Sequence, residues 1–359
     1  MTDQLPIQPL EVTSPALHEA WYRRTFPPVE QVREHIWSIP IPFAGNPMRY
    51  TLCYALIGDG GETVLIDPGW DSPEGFEALQ AGLRNAGLEL GTVTGIIITH
   101  THPDHHGLTH YLADAVPGAW IAMSETEADA LEAQQSATPE EQRATVRAQL
   151  SAAGIPSPDP IAAVRRGGGS DVFERMPRPT MRLADGDLVP LSGHELRAVL
   201  TPGHTAGHLC FVEPAADVVF TGDHVLPRIS PNVGLHAHSA TSPLGAYLDS
   251  LAKIGAIDHE VLPAHQWRFR GLPERAAELR EHHRERLDEI LGHLEAGPVS
   301  AWDLARGLTW AHGWETLNAM QQWSAVAETT AHLSYLIERG EVTSSGEAPV
   351  LYTLADRAE

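Results

Sequence analysis

The run T-H-T-H-P-D-H-H-G at residues 99–107, placed directly after the apolar stretch G-I-I-I, constrains this chain more than any other feature. A continuous β-branched stretch of that kind predicts a strand buried on both faces. Loops at the ends of such strands commonly carry function. His100 and His102 stand two apart, so in extended backbone both imidazoles point the same way, and Asp104 and His105 follow as the chain turns into a helix. One histidine among 20 carries no message, since most are surface or satisfied core residues. Three histidines and an aspartate within six positions at a strand end read as a metal-binding loop.

Three later segments offer the same residue types, each after a strand-like run: T-P-G-H-T-A-G-H with His204, T-G-D-H with Asp223, and L-P-A-H with His265. A carboxylate has two oxygens and can bridge two cations, which makes Asp223 the natural shared ligand. Two ions roughly 3.5 to 4 Å apart would hold a water between them, lower its pKa and stabilise the oxyanion formed on attack. Hydrolysis then needs no side-chain nucleophile, and Asp104 and Asp223 are the candidate catalytic carboxylates. The expected cofactor is a pair of divalent ions. Zinc is the first choice, with iron or manganese also compatible with nitrogen and oxygen donors.

At 359 residues the chain is long enough for one large domain and a small one. Residues 1–32 are rich in Pro and charge without periodicity and read as an N-terminal extension. Residues 33–270 read as the catalytic domain. It opens with the strand-like runs I-W-S-I-P-I-P, Y-T-L-C-Y-A-L-I and T-V-L-I-D, a helix near 74–86 and the buried strand before His100. Helices are expected beside the site within 124–151. Strands follow at E-L-R-A-V-L, H-L-C-F-V and D-V-V-F-T, with a helix near 244–254 and a short strand at 261–262. Residues 271–359 begin with a helix whose Leu287, Ile290, Leu291 and Leu294 share one face. A short helix capped by Ser300, a helix near 326–339 and two closing strands complete the order of a winged helix. Cys53 and Cys210 sit in apolar runs and read as buried thiols with neither disulfide nor metal duty.

A net charge of -23, with Lys253 the only lysine, makes the average surface repel phosphate backbones and anionic membranes. No apolar run approaches the ~20 residues needed to cross a bilayer. The start M-T-D-Q-L-P-I-Q-P-L lacks a secretory signal, so a cytoplasmic protein is expected.

Together these residues resemble the metallo-β-lactamase superfamily, whose pattern H-x-H-x-D-H, then His, Asp and His, is matched in order between residues 36 and 265. The resemblance implies an α/β (α+β) fold, the αββα sandwich, with two sheets back to back and the metals at one edge. It implies that His100, His102 and His204 hold one metal, Asp104, His105 and His265 the other, and that Asp223 bridges them. Asp67 in L-I-D-P-G matches a position that supports the metal loop, with a plain turn residue as the alternative. The best-known zinc β-lactamases carry a Cys ligand where Asp223 stands, so antibiotic hydrolysis is not expected. The glyoxalase II branch shares the metal pattern but is unlike this chain after His265. The patterns H-H-R-E-R-L, G-P-V-S-A-W-D-L-A and A-V-A-E-T-T-A-H-L-S-Y-L look like the branch with an appended winged helix. That branch includes single-strand endoribonucleases and thioesterases acting on carrier-bound acyl chains. The chain departs from it at Gln266, where Gly is usual.

The first functional expectation is hydrolysis of an ester, thioester or lactone in a small-molecule or carrier-bound acyl substrate. The segment I-S-P-N-V-G-L-H-A-H would project Asn232, His236 and His238 towards the pocket, with an ordinary loop residue as the alternative for each. The alternative is an endoribonuclease or other phosphodiesterase, with Arg165, Arg166 and the Gly-rich loop after them on a phosphate. From Glu274 onward, however, Asp and Glu outnumber Arg about two to one. The helix that would read a groove carries Glu328 and Glu338 with only Arg339. Nucleic acid is therefore disfavoured, and a packing or dimerising lobe is preferred, a homodimer being one form it can take. A non-catalytic metal scaffold would keep the fold but lose an open coordination position; every expected ligand is present.

Overall fold

In the computed structural model, which describes residues 10–156, 169–234 and 242–356, two sheets lie face to face with helices outside. The first sheet runs in sequence order through β2 (Glu30–Arg33), β3 (Ile36–Pro42), β4 (Tyr50–Ile57), β5 (Thr63–Ile66), β6 (Val93–Ile97), β7 (Trp120–Ser124) and β8 (Met181–Leu183). It is antiparallel as far as β5 and parallel from there on. The second has the order β1 (Glu11–Val12), β13 (Phe269–Arg270), β12 (Glu260–Pro263), β11 (Val218–Gly222), β10 (Leu209–Glu213) and β9 (Arg197–Leu200).

The period-two geometry of β4 accounts for the layering. Leu52, Tyr54 and Leu56 point into the core between the sheets, where the Tyr54 ring meets Phe220 of β11 edge-on at 5.2 Å. Cys53 and Ala55 point the other way. They join Leu79 and Leu83 of the helix Pro73–Asn85 and Leu112, which belongs to the short helix Thr109–Ala115. A strand between two apolar layers has no solvent face, hence the unbroken run Y-T-L-C-Y-A-L-I. Both cysteines are buried and unpaired, as expected. On the far side of the second sheet, the helices Pro243–Ile254 and Leu272–Leu294 add Leu244, Leu251, Leu272 and Leu279 to the central core.

Because β5 and β6 are parallel, and β11 and β12 are parallel, the loops following all four leave from the same ends of their strands. Those loops carry Asp67, the 99–105 segment, Asp223 and His265.

The stretch before residue 33 is more than an extension. Residues 15–23 form a helix, β1 pairs with β13 and β2 with β3, so the start of the chain lengthens both sheets. Buried Arg268 then ties one sheet to the other. It donates to Glu30 at 2.9 Å and to Glu260 at 3.0 Å. Strands this short carry too little period-two signal to be seen in sequence.

Past residue 271 the helices Leu272–Leu294, Ala301–Gly307 and Ala319–Glu338 surround a small sheet of strands Val299–Ser300, Leu351–Leu354 and Val342–Ser345. Ile290, Leu304, Val326 and Leu333 form its core. Ser300 caps the second helix as expected, accepting from Asp303 N–H at 3.1 Å. The third helix starts earlier than its apolar period indicates, because Asn318 and Gln321 form a capping box ahead of it. Among the described residues no helix is long and apolar enough to cross a membrane.

Candidate metal centre

The loop after β6 turns at Pro103 into a helical turn, Pro103–His106, that sets the direction of each side chain. His100 and His102 leave the extended part side by side, with Nε2 of one 2.9 Å from Nδ1 of the other. His204, from the loop between β9 and β10, brings its Nε2 to 3.1 Å from His102 Nδ1. On the other side, Asp104 Oδ2 lies 3.3 Å from His265 Nε2 and 3.9 Å from His105 Nε2. Asp223 stands between the two sets: its Oδ2 is 3.6 Å from His105 and 3.8 Å from His204, and its Oδ1 is 3.3 Å from His265. Potential ligand atoms of His100, His102 and His204 all lie within 4.8 Å of one another, and so do those of His100, His105 and Asp223 and those of Asp104, His105 and His265. All seven residues singled out in the sequence therefore meet in one place.

These atoms fit a cation better than they fit each other. His105 Nε2, His265 Nε2 and Asp223 Oδ1 are buried without a hydrogen-bond partner among the described residues. An unpartnered buried polar atom costs about 1–3 kcal/mol, which a bound ion would remove. Burial disfavours charge on His100, and the neighbouring imidazoles lower its pKa further, leaving it the neutral form that binds metal. Burial alone would raise the Asp223 carboxyl, but His265 and His105 beside it hold it well below the usual range, so it is ionised.

Behind the ligands lies a set of orienting contacts. Asp67, with a left-handed φ of 51°, accepts from Thr99 N–H at 2.8 Å, from Thr99 Oγ1 at 2.7 Å and from His105 Nδ1 at 2.8 Å. It thus supports the loop and fixes which His105 nitrogen faces the centre. His265 Nδ1 sits 2.9 Å from the Tyr50 carbonyl, and His204 Nδ1 sits 2.8 Å from the Asn232 carbonyl. The Asn232 side chain turns to the helix Ala319–Glu338, donating to Ser324 Oγ at 2.8 Å. His236, His238, Arg165 and Arg166 lie outside the described residues. Gln266 occupies a left-handed conformation, φ 73°, which accounts for a preference for Gly there.

Two supporting residues were not singled out in the sequence. His208, buried in the same T-P-G-H-T-A-G-H segment as His204, lies with Nε2 3.3 Å from the Asp223 backbone N–H. Gly222 must be glycine, since a Cβ there would come within 2.7 Å of that ring nitrogen. Glu127 is the other: a buried carboxylate on the helix Glu125–Ser136, it accepts from Thr101 and from Gly207. By contrast His106, the last histidine of the first cluster, faces Thr109 and the Pro177 carbonyl and takes no part.

Comparison with known proteins agrees with this geometry. The model of the metallo-beta-lactamase superfamily matches residues 47–266. The lactamase-like protein adaB of Aspergillus niger is 28% identical over 274 residues, covering 75% of this chain and 67% of that protein. The atrochrysone carboxyl ACP thioesterase of Aspergillus chevalieri is 25% identical over 274 residues, covering 75% and 69%. A metallo-beta-lactamase family protein from Thermus thermophilus superposes with a TM-score of 0.76 at 30% identity, over 90% of this chain and 100% of that one. Fold, ligand geometry and sequence match together make this chain a member of the metallo-beta-lactamase superfamily.

Proposed function

We propose that the protein is a dinuclear metal-dependent hydrolase of esters, thioesters or lactones, with carrier-bound acyl thioesters as the favoured substrates. The observation that carries this is the placement of Asp223 between two sets of ligands, with His105 Nε2, His265 Nε2 and Asp223 Oδ1 buried and without a hydrogen-bond partner among the described residues. His100, His102 and His204 would hold one ion, Asp104, His105 and His265 the other, and Asp223 both. Zinc is the favoured metal. Two such cations, when bound, lower the pKa of a water and polarise the carbonyl under attack.

The chain's own residues do the rest. Asp104 and Asp223, both held ionised against their burial by neighbouring histidines, supply the negative charge that the ions require. Asp67, Tyr50 and Asn232 keep the imidazoles aimed. An apolar patch of Phe43, Met48, Leu226 and Ile229, with the Trp70 ring stacked on Phe43 at 4.4 Å, grows from the loops after β3, β5 and β11. These side chains are buried, and their packing braces the loops that follow the three strands. The thioesterase name of one relative supports the thioester preference.

We further assign residues 33–270 to the catalytic domain and 271–359 to a winged-helix-like lobe serving as a packing or dimerising element. Its helix Ala319–Glu338 is docked on the body through Glu338, which accepts from Ser242 N–H at 2.7 Å, and through Ser324. A helix held there is not free to enter a nucleic-acid groove. The test is a panel of acyl thioesters and lactones with metal-loaded protein. Turnover should vanish with chelator and return with added divalent metal; a fully loaded sample inert on the whole panel refutes the proposal.

A further inference from the structure

Outside the centre the molecule holds a second concentration of chemistry. A cleft of about 330 Å³ opens between the helix Pro15–Arg23, the 43–49 loop and the segment after Asp223. Arg24, Arg49 and Arg228 line it, with Trp21 and Tyr22 as walls and His312 reaching in from the C-terminal segment. Among the described residues no carboxylate lines it, although the chain as a whole carries a net charge of -23. Among the described residues neither Arg24 nor Arg49 forms an ion pair. Arg49 donates to the Ala20 and Trp21 carbonyls at 3.3 and 2.8 Å and lies over the Trp21 ring at 4.5 Å. Part of its five-donor fork remains for a ligand.

The backbone here is also under constraint. Five non-glycine residues among those described have positive φ. Arg24 and Arg49 are two of them, at 57° and 66°, and two others, Asp67 and Gln266, support or adjoin the metal ligands. Left-handed conformations of long side chains persist where the surroundings enforce them, and they gather at ligand sites. The cleft is also wired to the centre. Arg49 precedes Tyr50, whose carbonyl contacts His265, and Arg228 N–H donates to Gln266, the residue after His265, at 3.0 Å. Burial lowers the Arg49 pKa, and the nearby Arg24 lowers it further against the opposing influence of Tyr50.

We propose that this cleft is the subsite for the phosphate of a phosphopantetheine thioester, arginines on the phosphate and aromatic rings along the arm, with the acyl end at the metal centre. It rests on the acyl-thioester reading of that centre and names the part of the substrate remote from the reaction. Guanidinium groups are suited to phosphate through paired, charge-assisted bonds. Such an arm reaches the enzyme either as coenzyme A or on an acyl carrier protein.

Binding of coenzyme A and of phosphate-free pantetheine to the metal-loaded protein, measured by titration calorimetry, tests the subsite without any turnover. Coenzyme A should bind at least about tenfold more tightly than pantetheine. That ratio should fall about threefold in Arg24→Ala, an exposed position, and close to one in the Arg24→Ala, Arg228→Gln double variant. Arg306→Ala, on the helix Ala301–Gly307, should keep the wild-type ratio. Holo and apo carrier protein form the second arm: arginine-dependent binding of the holo form identifies the carrier as the source, and its restriction to coenzyme A identifies the free thioester. Equal binding of coenzyme A and pantetheine, or an unchanged ratio in the double variant, overturns the proposal. So does displacement of coenzyme A by single-stranded RNA through the same arginines. If the acyl panel fails while the ratio holds, the catalytic reading has failed and the subsite stands.

Discussion

The Glu127 carboxylate accepts the backbone N–H of Gly207 at 2.9 Å through one oxygen, while its other oxygen takes Thr101 N–H at 2.8 Å and Thr101 Oγ1 at 2.7 Å. One buried side chain therefore clamps the loop bearing His100 and His102 to the loop bearing His204. Gly207 allows the approach, since a Cβ there would fall 2.4 Å from Ser124 Oγ and 2.7 Å from the Glu127 backbone nitrogen.

Glu127→Gln must turn an amide donor towards at least one of these donors. The expected cost is about 1–3 kcal/mol of stability, with weaker binding of the ion shared by His102 and His204. Chemical denaturation of metal-free protein and competitive zinc titration measure the two effects separately. A variant matching wild type in both would show that the clamp is dispensable.

Asp67→Asn keeps a residue tolerant of the left-handed φ while removing the charge and one acceptor. With three donors converging on it, the amide cannot satisfy all of them. Metal affinity should drop roughly 10–100-fold with the fold intact by circular dichroism. Wild-type affinity would reduce Asp67 to a turn residue.

Asn232 separates pocket from scaffold. Its side chain holds Ser324 and its backbone carbonyl supports His204, so Asn232→Ala should cost about 1 kcal/mol and loosen the helix Ala319–Glu338 in hydrogen exchange. A large KM change with unaltered exchange would instead place the amide on substrate.

His194 gives a pH dependence away from the metals. Its Nδ1 lies 3.3 Å from Glu213 and its Nε2 3.0 Å from the Ile57 carbonyl, so the protonated ring can donate to the carbonyl while it pairs with the carboxylate, and Glu213 raises its pKa. A histidine whose folded pKa is raised contributes stability in full below its unfolded pKa, about 6.5, and loses it as pH rises through the folded value. His194→Gln should therefore destabilise more at pH about 6 than at pH about 8.5, by at most about 1 kcal/mol. Equal or reversed losses at the two pH values would exclude the ion pair as the cause.

How much of this was legible in sequence follows from how each residue acts. The seven centre residues could be read because strand ends mark where loops gather, and because imidazole and carboxylate clusters are rare by chance. Glu127 could not. Ser124 and Glu127 have the spacing of a capping box, and Ser124 does accept Glu127 N–H at 3.1 Å, but the carboxylate serves two other loops instead. His208 stood within a quoted motif, yet its partner, the Asp223 N–H, is brought near only by the pairing of β10 with β11. Arg24, Arg49 and Arg228 are scattered through an acidic chain and become a patch only when the N-terminal helix docks. The early strands β1 and β2 are too short for a period-two pattern to show, and β1 takes its register from β13, far along the chain.

If two cations share Asp223, the metal content of the protein depends on that one carboxylate. Elemental mass spectrometry of reconstituted, desalted wild-type protein should find two divalent ions per chain, falling to one or fewer in Asp223→Ala. Absence of bound metal in wild type, or the same content in both proteins, would contradict the account.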